Sequence, residues 1–162
     1  MVIIMVFTKE DHDLEYRVTH PDEILSANDY RLDDDTQIKV EYRVEDLEYK
    51  DDGLHGKLIL VLYMWNDEEK EFDEIYYKSL EHMLLVEAKG MIYQGRVYES
   101  GREHELKDEY ASLFSMDYNS IRKNQIGSKE HLTLPYVVFK DSLDGLFSNL
   151  NEQYSKYSNN FI

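Results

Sequence analysis

The 162-residue sequence contains no cysteine, and it has only two prolines, seven glycines and one tryptophan. The missing thiols exclude disulfide bonds, cysteine nucleophiles and cysteine-ligated zinc or iron–sulfur centres. Because proline and glycine are scarce, few chain breaks are expected, and no segment is typical of a flexible linker. The length is sufficient for one hydrophobic core. The sequence therefore predicts a single domain over residues 1–162, in a cytoplasmic setting.

Apolar runs long enough to span a bilayer are absent as well. Residues 1–7, MVIIMVF, have neither a basic segment nor a small-residue cleavage site, so they predict a buried strand rather than a signal peptide. The run is also too short to span a bilayer. Alternation over residues 14–19 predicts a second strand, and Pro21 in the first turn of residues 19–28 predicts a short helix.

The remaining patterns predict an α+β domain. Strands are expected at residues 37–44 and 57–65, paired as a hairpin, and at 132–140. The second of these is a continuous apolar run, typical of a central strand covered on both faces. Helical spacing predicts a long helix from Asn66 to Ile92 and further helices at 103–114 and 141–157, with a polar loop at 115–129. We expect a mixed or antiparallel sheet of about five strands, with the helices packed mainly on one face.

The charge is strongly negative and unevenly distributed. The formal net charge is −16, and residues 1–77 hold 22 acids and 8 bases against 12 acids and 10 bases in residues 78–162. Direct nucleic-acid binding is not expected, because it needs cations that neutralise phosphates, and an anionic membrane surface is disfavoured for the same reason. An excess of negative charge confined to residues 1–77 suggests that this half of the chain forms a surface that binds a basic partner.

Two acidic clusters are the candidate partner-binding residues. Side chains on one face of a strand recur about every 6.8 Å, close to the spacing of successive phosphates along a DNA strand. Acidic side chains on a strand and an adjoining helix can therefore imitate a polynucleotide, with interleaved tyrosines such as Tyr42, Tyr63, Tyr76 and Tyr77 as aromatic anchors. The candidates are Asp33, Asp34, Asp35, Glu41, Glu45, Asp46, Glu48, Tyr49, Asp51 and Asp52 in the first cluster, and Asp67, Glu68 and Glu69, followed by Glu71, Asp73 and Glu74, in the second.

Motifs for chemistry are missing. The six histidines are scattered, without HExxH or His-x-His spacing, and no acidic run places Gly and Glu at the sixth and twelfth positions of a calcium loop. Walker A, GxGxxG and GxSxG motifs are absent too. We therefore expect no catalytic residue, no metal site and no cofactor.

One stretch resembles the PD-(D/E)xK nucleases. Glu87 and Lys89 match the ExK pair, Asp73 the upstream aspartate, and Gln94 with Tyr98 a QxxxY helix. The resemblance implies that the carboxylates hold a divalent cation and that the lysine orients the attacking water. The helical pattern of residues 72–92 opposes it, because a helix would turn Glu87 and Lys89 about 200° apart.

The whole chain, acidic, compact and free of cysteine, resembles phage-encoded anti-defence proteins such as DNA-mimicking inhibitors and anti-CRISPR proteins. That resemblance implies stoichiometric inhibition of a bacterial RNA-guided nuclease, or of its guide-RNA complex, by occupation of a basic surface. An immunity protein that neutralises a cationic nuclease toxin would use the same electrostatics. A solvated acidic surface that only maintains solubility is the remaining interpretation.

Overall fold

The computed structural model describes residues 24–88, 92–93, 96–97, 102–123 and 132–159. Four strands form an antiparallel sheet in the order β1-β2-β3-β4, and a separate two-stranded sheet pairs β5 with β6. The bounds are β1 Ile24–Arg31, β2 Gln37–Lys50, β3 Gly53–Asn66, β4 Glu71–Glu87, β5 Ile92–Tyr93, β6 Arg96–Val97, α1 Glu103–Lys123 and α2 Tyr136–Asn159. The expected strands at residues 1–7 and 14–19 lie outside the described residues.

The α+β class and the antiparallel sheet are confirmed, with four strands in the main sheet rather than about five. The predicted hairpin is also confirmed, because β2 pairs with β3 in the register Ile38↔Met64 to Lys50↔Gly53. Strand β3 is buried on both faces: Leu60, which faces the helices, and Val61, which faces the other way, are both inaccessible to solvent. Its continuous apolar run is thus explained by its central position.

Both helices pack on one face of the main sheet. Aromatic rings join the layers, as where Phe114 of α1 meets Tyr42 of β2 edge-to-face at 5.7 Å between centroids. Tyrosine hydroxyl groups fix the same interface, since Tyr110 donates to the carbonyl oxygen of Leu84 at 2.7 Å. The apolar residues that keep helical spacing along α2 are buried against this face, namely Leu143, Leu146, Phe147, Leu150 and Tyr154.

Four element predictions are wrong. Residues 66–88 form the β3–β4 turn and strand β4 instead of a long helix, and Ile24–Arg31 is a strand where a helix was expected up to residue 28. Residues 115–123 continue α1 instead of forming a loop. In the segment 132–140, Pro135 precedes helix α2, and the amide of Val138 donates to its carbonyl oxygen at 3.0 Å, so no strand forms there. Asp141 therefore lies inside α2 and does not cap it.

Candidate functional site

The antiparallel order brings two acidic turns to the same end of the sheet. The β1–β2 turn and the β3–β4 turn both lie beside the Ile38↔Met64 pair. Neighbouring strands are about 4.8 Å apart, so the centres of the two turns are separated by about 10 Å. We call residues 29–37 and 65–74, which contain these turns, the acidic end.

Local hydrogen bonds fix both turns and leave their carboxylates outside. In the first turn, the backbone N–H of Thr36 donates to the Asp34 side chain at 3.1 Å, and Asp35 adopts a positive φ of 67°. In the second, the Asn66 side chain accepts from the backbone N–H groups of Glu68 at 3.0 Å and Glu69 at 3.2 Å. Asn and Asp favour such turns because their side chains bond the backbone two or three residues on.

Half of the net charge of the chain is concentrated at the acidic end. Its nineteen residues include ten carboxylates and two basic side chains, a net −8 of the total −16. The two bases are poorly placed to neutralise it, since Arg31 and Lys70 lie 3.9 Å from the carboxylate oxygens of Asp35 and Asp67. In the described part of the chain, no ion pair involves the carboxylates of Asp33, Glu68, Glu69 or Glu71.

Three of these carboxylates crowd one another. Single oxygens of Glu69, Glu71 and Asp73 all lie within 4.8 Å of one another at exposed positions. The pKa of Glu71 is raised above its ordinary value, first by the hydrogen bond to Glu69 and then by the charge of that residue. Because β4 is a strand, Glu71 and Asp73 share a face, a juxtaposition that the helical interpretation did not reveal.

The other acidic turn lies at the opposite end of the sheet. Asp51 and Asp52 join β2 to β3, and β2 has 14 residues, so they lie on the order of 40 Å from the acidic end. The carboxylates there have basic neighbours. Glu48 pairs with Lys50 at 3.2 Å, and the ring nitrogen Nε2 of His55 lies 2.9 Å from Asp52.

These contacts lower the charge that the opposite end presents to a partner. The hydrogen bond from His55 is the main reason that the pKa of Asp52 lies below its ordinary value. Glu81 pairs with Lys57 at 3.5 Å, and Lys57 also lies opposite Glu45 in the β2–β3 ladder. The remaining candidate there, Asp46, is exposed and takes a positive φ of 54° where the ladder between β2 and β3 is irregular. The first predicted cluster is therefore divided, because Asp33–Asp35 join the second cluster at the acidic end while Asp51 and Asp52 lie at the opposite end.

Two of the candidate partner-binding residues, Glu41 and Tyr49, make contacts within the protein. The Glu41 carboxylate accepts hydrogen bonds from Arg43 at 2.7 and 2.9 Å, and its side chain is only 13% exposed. The ring of Tyr49 stacks against Tyr157 of α2 at 4.8 Å between centroids, and its hydroxyl group donates to Gln153 at 3.3 Å.

The tyrosines expected to act as anchors are mostly interior. Tyr42 is fully buried and Tyr76 nearly so, and the Tyr76 hydroxyl donates to Asp117 at 2.7 Å. Tyr77 is 52% exposed and lies on the face opposite the helices. Sequence reasoning missed a second aromatic feature of that face, Trp65 beside Phe72 at the acidic end, with ring centroids 5.2 Å apart.

The nuclease resemblance does not assemble a metal site from Asp73 and Glu87. Both lie on β4, fourteen residues apart, which corresponds to roughly 45 Å along a strand, so they cannot share one cation. Glu87 accepts a hydrogen bond from Arg102 at 2.7 Å. Lys89, Gln94 and Tyr98 lie outside the described residues.

Comparison of the chain with protein-family models, with curated proteins and with solved structures gave no match. Among the described residues, no helix is both long enough and apolar enough to pass through a membrane. The interpretation of the acidic end therefore depends on its own geometry and charge.

Proposed function

We propose that this protein is an acidic inhibitor that acts in the cytoplasm of a bacterial cell and binds a basic surface of a nucleic-acid-processing enzyme, an RNA-guided nuclease. The observation that carries the proposal is the acidic end, where two turns gather ten carboxylates and a net −8 within nineteen residues. The acidic end would occupy the cationic cleft that otherwise holds a polynucleotide.

Electrostatics support this function over simple solubility. A surface that only maintains solubility does not need its negative charges gathered in one place. A concentrated negative patch steers association with a positively charged surface. The raised pKa of Glu71 indicates mutual repulsion among these carboxylates. A cationic partner would relieve that repulsion, whereas no basic side chain of the described residues forms an ion pair with Glu69 or Glu71.

The two ends of the sheet supply matched variants for the test. At the acidic end, Asp33→Lys, Glu68→Lys and Glu69→Lys change the charge by +6 at exposed positions. At the opposite end, Glu48→Lys, Asp51→Lys and Glu152→Lys also change the charge by +6. Glu152 lies near that end because Tyr154, which follows it in α2, donates to the carbonyl oxygen of Lys50.

The experiment measures target-DNA cleavage by purified RNA-guided nucleases, with cationic nuclease toxins as a second panel. We expect stoichiometric inhibition of one RNA-guided nuclease by the wild type and by the opposite-end variant. The acidic-end variant should bind about a hundredfold more weakly or worse, because like charges facing one another cost several kcal/mol. Equal inhibition by both variants, or inhibition confined to a toxin, would refute the proposal.

A further inference from the structure

An open groove lies within the acidic end. Residues from all four strands of the main sheet line it, and its volume is about 400 Å³: Asp29, Tyr30 and Arg31 of β1, Gln37 of β2, Trp65 of β3 and Phe72 of β4. The register Arg31↔Gln37 and Trp65↔Phe72 places four of these residues in one row across the sheet, and Asp29 lies in the next row on the same face, opposite Lys39. Volumes of this order suffice for a small ligand, and so for a long side chain.

The aromatic wall of the groove is held in place before any partner arrives. The Trp65 indole N–H donates to the Asp67 carboxylate at 2.8 Å. Phe72 meets Trp65 edge-to-face, with an interplanar angle of 71°, and remains 37% exposed. A partly exposed aromatic pair that is already oriented loses little conformational freedom on binding.

The negative charge around this aromatic pair favours a cationic ligand. Within the described residues, no ion pair involves the Asp29 carboxylate. Arg31, the basic residue of the groove, donates to the backbone carbonyl oxygen of Asp35 at 3.5 Å and lies 3.9 Å from the carboxylate of that residue. Cations are attracted to aromatic faces, most strongly to tryptophan. The same face already shows such a contact in the next row, where the Lys39 ammonium lies 5.7 Å from the centre of the Tyr63 ring.

We propose that the groove receives an arginine side chain from the basic partner. The guanidinium group would stack on Trp65 and Phe72 and donate two hydrogen bonds to the Asp29 carboxylate. Arginine fits better than lysine, because its planar group stacks on aromatic rings and forks onto a carboxylate, whereas an ammonium group is a compact, strongly hydrated charge. The inference rests on the proposed function, since it specifies how the basic surface is recognised.

A nucleobase is the other ligand that aromatic rings on an open sheet receive. Stacked bases bring phosphates with them, and single-stranded binding needs a positively charged groove. The acidic end carries a net −8, so it repels that backbone. The charge therefore favours arginine over nucleic acid.

Trp65 is the only tryptophan of the chain, so tryptophan fluorescence reports on this groove alone. We would titrate the full-length protein with hexa-arginine, hexa-lysine and a single-stranded oligothymidine, at two salt concentrations. Hexa-arginine should produce a saturable change in Trp65 emission, with an affinity about tenfold higher than that of hexa-lysine, which carries the same charge. The oligonucleotide should leave the emission unchanged.

Three variants distinguish binding in the groove from general electrostatic attraction to the acidic end. Phe72→Ala and Asp29→Asn should each remove most of the preference for arginine, because they should weaken hexa-arginine binding much more than hexa-lysine binding. The Asp33→Lys, Glu68→Lys, Glu69→Lys variant should weaken both peptides equally. Circular dichroism would verify that each variant is folded. If Phe72→Ala does not fold, Asp29→Asn still provides the test, because it preserves the volume of the side chain.

The results that overturn the inference differ from those that overturn the proposed function. Equal affinities for the two peptides, an unchanged Trp65 emission on binding, or saturable oligothymidine binding would each reject the arginine groove. The nuclease assay with the charge-reversed ends decides the proposed function independently, because it requires only that the acidic end bind a basic surface.

Discussion

The hydroxyl group of Tyr42 donates a 2.8 Å hydrogen bond to the backbone carbonyl oxygen of Phe139. Tyr42 lies on β2 and Phe139 lies in the first turns of α2, so this bond joins sheet and helix where both residues are fully buried. It also lies in the segment for which the sequence predicted a further strand. The contact thus shows how the sheet holds the start of α2.

Removing that hydroxyl group should destabilise the fold. For Tyr42→Phe we expect the free energy of unfolding to fall by about 1 to 2 kcal/mol, because a buried hydrogen bond is lost without a replacement from water. Urea denaturation followed by circular dichroism measures the change. Tyr63→Phe is the control, since the Tyr63 hydroxyl makes a 3.4 Å contact at a partly buried position, and it should shift stability by less than about 0.5 kcal/mol. Equal effects of the two substitutions would contradict the role assigned to Tyr42.

Two glycines should respond in opposite directions to alanine. Gly53 begins β3 with a φ of 146°, and a Cβ atom there would lie 1.9 Å from the carbonyl oxygen of Val86. Gly53→Ala should therefore lower stability by about 2 kcal/mol or more. Gly145 lies in α2 with nothing within 4 Å of an added Cβ, so Gly145→Ala should raise stability by about 1 kcal/mol. Thermal unfolding of both variants tests the pair, and a stabilised Gly53→Ala would contradict the positive φ and the close approach to Val86 at this position.

The titration of Glu71 should reveal the crowding at the acidic end. Its pKa is raised, so the folded state resists ionisation there. The resulting destabilisation is present above the raised pKa and is relieved as the pH falls through it toward the value of the unfolded chain. In a carboxyl carbon NMR titration, Glu69→Gln should lower the pKa of Glu71, because the like charge is gone and the amide can donate a hydrogen bond to the carboxylate.

The matched control for that titration is Glu68→Gln, which removes one charge from the same turn but lies outside the group of three close carboxylates. It should change the pKa of Glu71 less than Glu69→Gln does. If the two variants produce the same change, the crowding is a general field effect and Glu69 has no special position.

The sequence predicted the elements whose hydrophobic period is regular. Residues 37–44 alternate strictly, and they form part of β2 with the expected partner. In α2, Leu143, Leu146, Phe147 and Leu150 keep helical spacing and are buried as predicted. The long apolar run of β3 was also interpreted correctly, because a strand covered on both faces has no polar positions.

Strand β4 was misread for a physical reason. The β3–β4 ladder is irregular at three places, Leu54/His55, Gly56/Leu58 and Leu62/Tyr63, and His82 takes a positive φ of 54°. Each bulge adds a residue and shifts the alternation by one. Apolar residues in such a strand recur at intervals of three or four, which imitates a helix.

The start of α2 could have been predicted from the sequence. Pro135 directly precedes Tyr136, the first helical residue, and proline is favoured at the first positions of a helix. The β-branched pair Val137 and Val138 favoured a strand instead. Packing of Val138 and Phe139 into the core outweighed that local preference.

The amino-acid sequence alone excludes thiol chemistry and gives the net charge of −16, most of it within the first 77 residues. Which carboxylates come together depends on the topology of the sheet. An antiparallel chain reverses direction at every turn, so alternate turns share an end of the sheet. Asp33–Asp35 therefore join Asp67–Glu69, more than thirty residues later, while Asp51 and Asp52, closer along the chain, lie at the far end.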